Sequence, residues 1–249
     1  MNTMSDEQSE QLASFMVPGG NYGYTGAAID TLQSFENTIA LGLVDESGST
    51  SSFAKQLESC VKEIVGSLRD NPNADKLLYA HYHFDTNFRE VHGFTELNSI
   101  NPADYDGCWA GGGRTTLYDS ESKVVKFVGD YGKQMAAQRY LCNGIIYVLT
   151  DGMDWGSVQT PEAVKDALAA VITGEEMESL MTILIGINDD PGVQQGLKDH
   201  ADEVGFTQYI PAGKADKKTL SKIAGFISQS ISSQSQALGS GGPSQSLTF

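Results

Sequence analysis

The sequence predicts an α/β fold: a doubly wound, mostly parallel central sheet flanked by helices on both faces, Rossmann-like, with one short antiparallel edge strand. Three observations predict it. Apolar runs of strand length alternate with amphipathic runs of helix length from Thr38 onward. The apolar runs are mostly continuous, as expected where both faces of a parallel sheet are covered. Strand-helix alternation of this kind joins parallel neighbours through crossover helices.

The strand candidates, in order, are TIALGLVD (38–45), KLLYAHYHFD (76–85), GIIYVLTD (144–151), LMTILIGIND (180–189) and FTQYI (206–210). REVHGF (89–94) is expected as the short antiparallel edge strand. Helices fill the gaps. Phe53, Leu57, Val61, Ile64, Val65 and Leu68 recur at a spacing of three and four, which puts them on one helical face. Val124, Phe127, Val128, Tyr131 and Met135 repeat the pattern, as do Val164, Leu168, Val171 and Ile172, and then Leu220, Ile223, Ile227 and Ile231. Thr160-Pro161-Glu162 reads as an N-cap with proline in the first helical position.

The flanks differ in texture. Residues 1–36 are polar and Gly/Tyr-rich, and are expected to form an N-terminal extension, partly mobile and then lying on the domain. The domain itself is placed at 37–234, and residues 235–249 are expected to be a flexible Ser/Gly/Gln-rich tail closing on the apolar pair Leu247 and Phe249.

The 249 residues carry a formal net charge of −16, with a sequence pI near 4.5. That field repels a phosphate backbone and anionic membrane surfaces, so neither is expected as a partner. Cys60, Cys108 and Cys142 are odd in number and far apart, with no CxxC pair, which argues for reduced thiols and a cytoplasmic protein. The polar, acidic start has no signal-peptide pattern, and no apolar segment is long enough to span a bilayer.

Ligands of such sheets sit outside the carboxyl ends of the strands. Asp45, Ser47 and Ser49 follow the first strand; Asp151 ends the strand GIIYVLT; Thr115 opens a helix after the glycine-rich GGGR. Two carboxylates and three hydroxyls, with no imidazole or thiolate, form an all-oxygen set suited to a hard divalent cation, Mg²⁺ or else Mn²⁺. Mg²⁺ takes about six oxygens, so a position is left for water or an incoming carboxylate.

Asp45-Glu46-Ser47-Gly48-Ser49, Thr115 in GGRTTL and Asp151 in LTDG resemble the metal-ion-dependent adhesion site (MIDAS) of von Willebrand factor A (vWA) domains. The resemblance covers about residues 37–234. It implies that Ser47, Ser49 and Thr115 touch the metal while Asp45 and Asp151 often act through water. Thr116 competes with Thr115; the latter is preferred because Leu117 follows it after one residue, as in the family pattern. EVHGF, YDG, LYDS, TDGMD and FISQSISS further suggest an intracellular bacterial or phage branch akin to tellurite-resistance-associated vWA proteins. Glu46 departs from the small residue many relatives carry, and is expected either to add local negative charge or to point to solvent.

The competing chemistries are weaker. GGGR lacks the Gly-Lys-Ser/Thr ending of a P-loop. A haloacid-dehalogenase-like phosphatase needs a second acid where Ser47 stands. No nucleophile-elbow pattern accompanies the serines. His81 and His83 alternate on a strand and are expected to be packed or hydrogen-bonded rather than ligands, and Asp189-Asp190 is expected to be a helix N-cap region. Trp109, Arg114 and Trp155 lie in loops facing the site, where tryptophans serve either as partner anchors or as plugs of their own loops. The functional expectation is a non-catalytic, divalent-cation-dependent adaptor whose partner presents an Asp or Glu; family resemblance implies AAA+ ATPases among possible clients. The alternatives are a structural or self-assembling protein linked through its tail and, behind it, a metal-dependent phosphatase.

Overall fold

The computed structural model describes residues 12–174, 177–240 and 247–249. Its elements run β1 (Leu12–Met16), β2 (Gly23–Ala27), β3 (Glu36–Asp45), α1 (Ala54–Arg69), β4 (Leu77–Phe84), β5 (Phe88–Glu96), α2 (Leu117–Ala137), β6 (Leu141–Thr150), α3 (Pro161–Thr173), β7 (Leu180–Gly186), α4 (Pro191–Val204), β8 (Gln208–Pro211) and α5 (Lys217–Ser240). The eight strands form one mostly parallel sheet in the order β1-β2-β5-β4-β3-β6-β7-β8.

β3 is central, parallel to both β4 and β6, and β7 and β8 extend the parallel set. Alternate residues of each strand enter two separate apolar clusters. Ile39, Leu41, Leu43, Ile146 and Val148 join Leu117, Phe127 and Tyr131 of α2, Leu168 of α3 and Leu197 of α4. Ala40, Val44, Ile145, Tyr147 and Leu149 join Val61, Ile64 and Leu68 of α1 and Ile223, Ile227 and Ile231 of α5. Full burial of each such side chain contributes roughly 1.5–3 kcal/mol, so the strand spine and its helices hold one another in place. Gly42 is needed at the centre because a Cβ there would sit 2.3 Å from the Tyr147 hydroxyl.

Two expectations about the flanks are corrected. β5 is antiparallel to β4, as REVHGF predicted, but it is not the edge of the sheet. β1 and β2 form a hairpin outside it, and β2 meets β5 in parallel at Gly26 and Phe94. The approach is so close that a Cβ on Gly93 would lie 1.8 Å from the Thr25 carbonyl oxygen. Thr25 is held from the same side, donating through its hydroxyl to Glu90 Oε1 at 2.5 Å and through its amide to Glu90 Oε2 at 3.1 Å. Part of the expected extension is therefore sheet. At the other flank α5 continues through Ser240, beyond the point where the sequence turns to Ser, Gln and Gly. Ser228, Ser230, Gln234 and Ser235 are buried there, and Asn143 of β6 donates to the Gln234 carbonyl at 2.7 Å. The expected mobile start, where it covers residues 1–11, and tail residues 241–246 lie outside the described residues. Leu247 and Phe249, expected to be flexible, pack on the α1/α5 cluster.

Candidate metal centre

The carboxyl ends of β3, β4 and β6 point the same way, because the three strands are parallel neighbours. Asp45 is the last residue of β3 and is 1% exposed. Its Oδ1 accepts from the Ser47 amide at 2.8 Å, which bends the chain into the Ser-x-Ser turn. Its Oδ2 accepts from the Thr150 hydroxyl at 2.6 Å, tying the end of β3 to the end of β6. The Ser47 and Ser49 hydroxyls lie 3.1 Å apart, and Ser49 Oγ donates to Asp151 Oδ1 at 2.8 Å. Asn188, after β7, donates to the Asp151 carbonyl at 2.6 Å and fixes that residue from the far side. Four of the five sequence-predicted ligands thus form one hydrogen-bonded set.

Thr115 approaches from the glycine-rich loop. The Gly48 amide donates to the Gly113 carbonyl at 3.1 Å, laying that loop on the Asp45–Ser49 turn. The Trp155 amide donates to the Thr115 carbonyl at 2.8 Å, joining the loop to the segment after Asp151. Thr115 is buried, and its hydroxyl has no hydrogen-bond partner among the described residues, whereas the Thr116 hydroxyl donates to the Asp85 carbonyl. Of the two threonines, Thr115 is the one whose oxygen remains available.

Electrostatics single out the two acids. Burial pushes the Asp45 carboxyl up to about 6, helped by the nearby Asp151 charge and opposed by the bonds from Ser47 and Thr150. Burial also raises Asp151, opposed by Ser49. Neither forms an ion pair with a Lys, Arg or His among the described residues. Two buried carboxylates and hydroxyl oxygens, with no basic side chain paired to the acids among the described residues, make a donor set suited to a divalent ion. Among the described residues no group of three or more His, Cys, Asp or Glu side chains is placed to hold a metal, so the hydroxyls are essential to any such site.

The sequence reading missed the scaffold of the glycine-rich loop. Glu46 neither faces solvent nor enters the carboxylate set. It is 3% exposed and accepts from Arg89 Nη2 at 2.7 Å, His83 Nδ1 at 3.0 Å and the Ala110 amide at 3.1 Å. Burial alone would raise its carboxyl; the His83 and Arg89 bonds outweigh it and hold Glu46 at about 2. Arg89 also donates to the Cys108 carbonyl at 2.6 Å. Asp85, just past β4, accepts from the Gly112 and Gly113 amides at 3.2 and 2.9 Å. An acid closing an apolar strand, HFD, was the available signal for Asp85.

The histidines follow the packed reading. The Tyr147 and Tyr79 hydroxyls lie 2.5 Å apart, Tyr79 bonds His81 Nδ1 at 3.0 Å, and His81 Nε2 and His83 Nε2 are 2.9 Å apart. The row ends at His83 Nδ1, which lies 3.0 Å from Glu46 Oε2 and 2.9 Å from Arg89 Nη2. Asp190 caps α4, accepting from the Gly192 and Val193 amides. Thr160 precedes Pro161 at the start of α3 in extended backbone, without a side-chain cap bond.

The loop aromatics divide. Trp109 is half-buried, its indole donating to the Thr50 hydroxyl at 3.2 Å. Trp155 is 69% exposed, with the Arg114 guanidinium 4.7 Å from its ring centroid, and Val158 nearby in sequence is also exposed.

No family model and no curated protein matches the chain. Solved structures do. The fold is similar to that of the PilB minor pilin of Streptococcus sanguinis, at 15% identity and a TM-score of 0.56, covering 87% of this chain and 66% of that one. It is similar to the pilus adhesin SpaC of Lactobacillus rhamnosus GG at 11% identity and a TM-score of 0.60, covering 90% and 34%. Proximal thread matrix protein 1 of the mussel byssus, in a structure with a zinc-occupied MIDAS motif, matches at 15% identity and a TM-score of 0.53, covering 79% and 46%. The chain spans between about a third and two thirds of these solved chains. At such identities the likeness is one of fold.

Proposed function

We propose that this chain is a non-catalytic, divalent-cation-dependent protein-interaction module of doubly wound, vWA type. Mg²⁺, or Mn²⁺, would be held by Ser47, Ser49 and Thr115, with Asp45 and Asp151 balancing its charge. The partner supplies an Asp or Glu as the remaining ligand. The observation that carries the reading is the joined set Asp45–Ser47–Ser49–Asp151, two buried acids without a basic partner among the described residues, with the Thr115 loop laid on the same turn by the Gly48–Gly113 bond. The zinc-occupied MIDAS motif of the mussel neighbour supports a divalent ion in such a fold.

Trp155, Arg114 and Trp109 form the rim. An ion-bridged carboxylate is strong only where water is excluded, so the rim residues set selectivity. An adaptor role, with an AAA+ ATPase as one client class, is part of the proposal, as is a bacterial or phage cytoplasmic setting. Cys60, Cys108 and Cys142 are buried and far apart in sequence, with no CxxC pair, which favours a reducing compartment. Among the described residues no helix is long and apolar enough to cross a membrane.

The test is affinity capture on the full chain, once with Mg²⁺ and once with chelator. Partners retained only with Mg²⁺, and lost with Asp45→Ala while the protein stays folded, support the reading. Capture indifferent to both, or turnover of a generic phosphoester that requires Mg²⁺, defeats it.

A further inference from the structure

Leu247–Phe249 occupies a defined seat at the far edge of the sheet. Leu247 and Phe249 are half-buried against the α1/α5 cluster. The Leu247 carbonyl accepts from Gln208 Nε2 of β8 at 2.9 Å. The Phe249 ring meets Phe226 edge-on, centroids 5.6 Å apart, and the Lys222 ammonium lies 4.0 Å from the Phe249 ring centroid. Among the described residues β8 is the terminal strand of the sheet, paired with β7. The seat therefore reads a short Leu-x-Phe segment by one main-chain bond, one aromatic contact and one cation–π contact.

The segment's connection to α5 is short for the distance it covers. Ser240 ends α5, and Phe249 lies nine residues later. Its seat is centred near residue 224, about 24 Å back along the helix at 1.5 Å per residue. Nine residues span about 30 Å at full extension and about 15–18 Å when relaxed. Docking on the same chain thus needs a separation beyond the relaxed length. The same three residues of a second copy make identical contacts without that constraint, the circumstance in which identical elements exchange between protomers.

We propose that this seat accepts Leu247–Phe249 of a second copy, so that two chains associate by reciprocal exchange of the segment. The tether gives the chain's own segment an effective concentration on the order of millimolar, so exchange between unmodified chains is weak and favoured where copies are crowded. This inference is independent of the metal centre.

Two measurements on the full chain test it. Deleting residues 241–244 leaves five steps from Ser240 to Phe249, about 17–18 Å at most, which is too short for the seat on the same chain. The deletion variant is expected to be dimeric at micromolar concentration by light scattering, and monomeric once Phe249→Ala is added. The unmodified chain is expected to show dimer in sedimentation velocity as its concentration approaches about 1 mM, again abolished by Phe249→Ala. A deletion variant that stays monomeric, or a dimer in either experiment that survives Phe249→Ala, overturns the proposal.

Discussion

Ser49 and Asp151, 102 residues apart in sequence, are joined by a 2.8 Å hydrogen bond from the serine hydroxyl to the aspartate Oδ1. That bond closes the gap between the turn after β3 and the end of β6. It also occupies two groups that a bound cation would draw toward itself.

Metal binding should therefore be visible as stability. A ligand that binds only the folded state raises the melting midpoint, and Mg²⁺ is expected to do so here. The metal-free protein has a signature of its own. The Asp45 carboxyl is raised by burial to about 6, above its ordinary value, so the folded state holds a proton that the unfolded state has released. Its contribution is full below pH 4 and fades as pH rises through 6. Asp45→Asn should thus stabilise the metal-free protein at pH 7 by about 1–2 kcal/mol, allowing for the lost acceptor, while abolishing the Mg²⁺ response. Calorimetry with and without Mg²⁺ reads both; a variant that still responds to Mg²⁺ excludes Asp45 from the site.

The strand histidines titrate in the opposite sense, whereas at His200 burial is outweighed by the bond and charge of Glu121, which raise the imidazole. Burial lowers His81 well below its ordinary value, lowers His83 despite Glu46, and takes His92 down to about 4. Between those values and 6.5 the unfolded chain binds the extra protons, so stability falls as pH drops below 6.5. With Mg²⁺ saturating, which keeps Asp45 ionised, urea midpoints should decline steadily from pH 7 to 5. Imidazole NMR shifts that show His81, His83 or His92 protonated in the folded protein at about pH 6 would mean that the strand histidines are not held neutral.

The central strands were legible because each is written in one short stretch, and the acids and hydroxyls that hydrogen bonds join stand at or just after the ends of those stretches. TIALGLVD and GIIYVLTD are apolar enough to be nothing but buried strands, and they end in their acids. β2 was not legible: GYTGA has two glycines and no apolar alternation, and its place is fixed by Gly93 and Glu90, some 65 residues later. The length of α5 was hidden for a related reason. Ser228, Ser230 and Gln234 look like surface or linker residues until the sheet supplies a face to cover them. Glu46 read as an odd substitution because Arg89, His83 and Ala110, which define it, are distant along the chain.

That scaffold predicts a specific asymmetry. Glu46→Ala strands the His83 and Arg89 donors in a largely enclosed site and should cost about 3 kcal/mol in urea unfolding, after allowance for the partial exposure of Arg89. Arg89→Ala should cost less, since His83 and the Ala110 amide still serve Glu46. Equal costs would count against Glu46 as the centre of the cluster.

The β2–β5 junction is open to a steric test. Gly93→Ala places a methyl 1.8 Å from the Thr25 carbonyl, a conflict that only separation of the strands relieves. A loss of about 1–3 kcal/mol is expected, with faster amide hydrogen exchange at Thr25 and Gly26 while β3 and β6 remain protected. Unchanged exchange at those amides would show that the hairpin does not depend on this contact.

Trp155 separates a partner anchor from a structural plug. Its ring is 69% exposed, and the described contact on it is the Arg114 guanidinium, itself exposed. Trp155→Ala removes little buried area, so the melting midpoint should shift by no more than the equivalent of about 0.5 kcal/mol. If the ring seals the ion from water when a partner is bound, the same variant should weaken Mg²⁺-dependent capture by about tenfold or more, the size expected of an interface anchor. Trp109, whose indole bonds Thr50, should behave differently, with Trp109→Ala lowering the midpoint as well. The pair of variants thus divides rim from scaffold by two independent readouts. Loss of stability with Trp155→Ala, or full capture without it, would remove Trp155 from the interface.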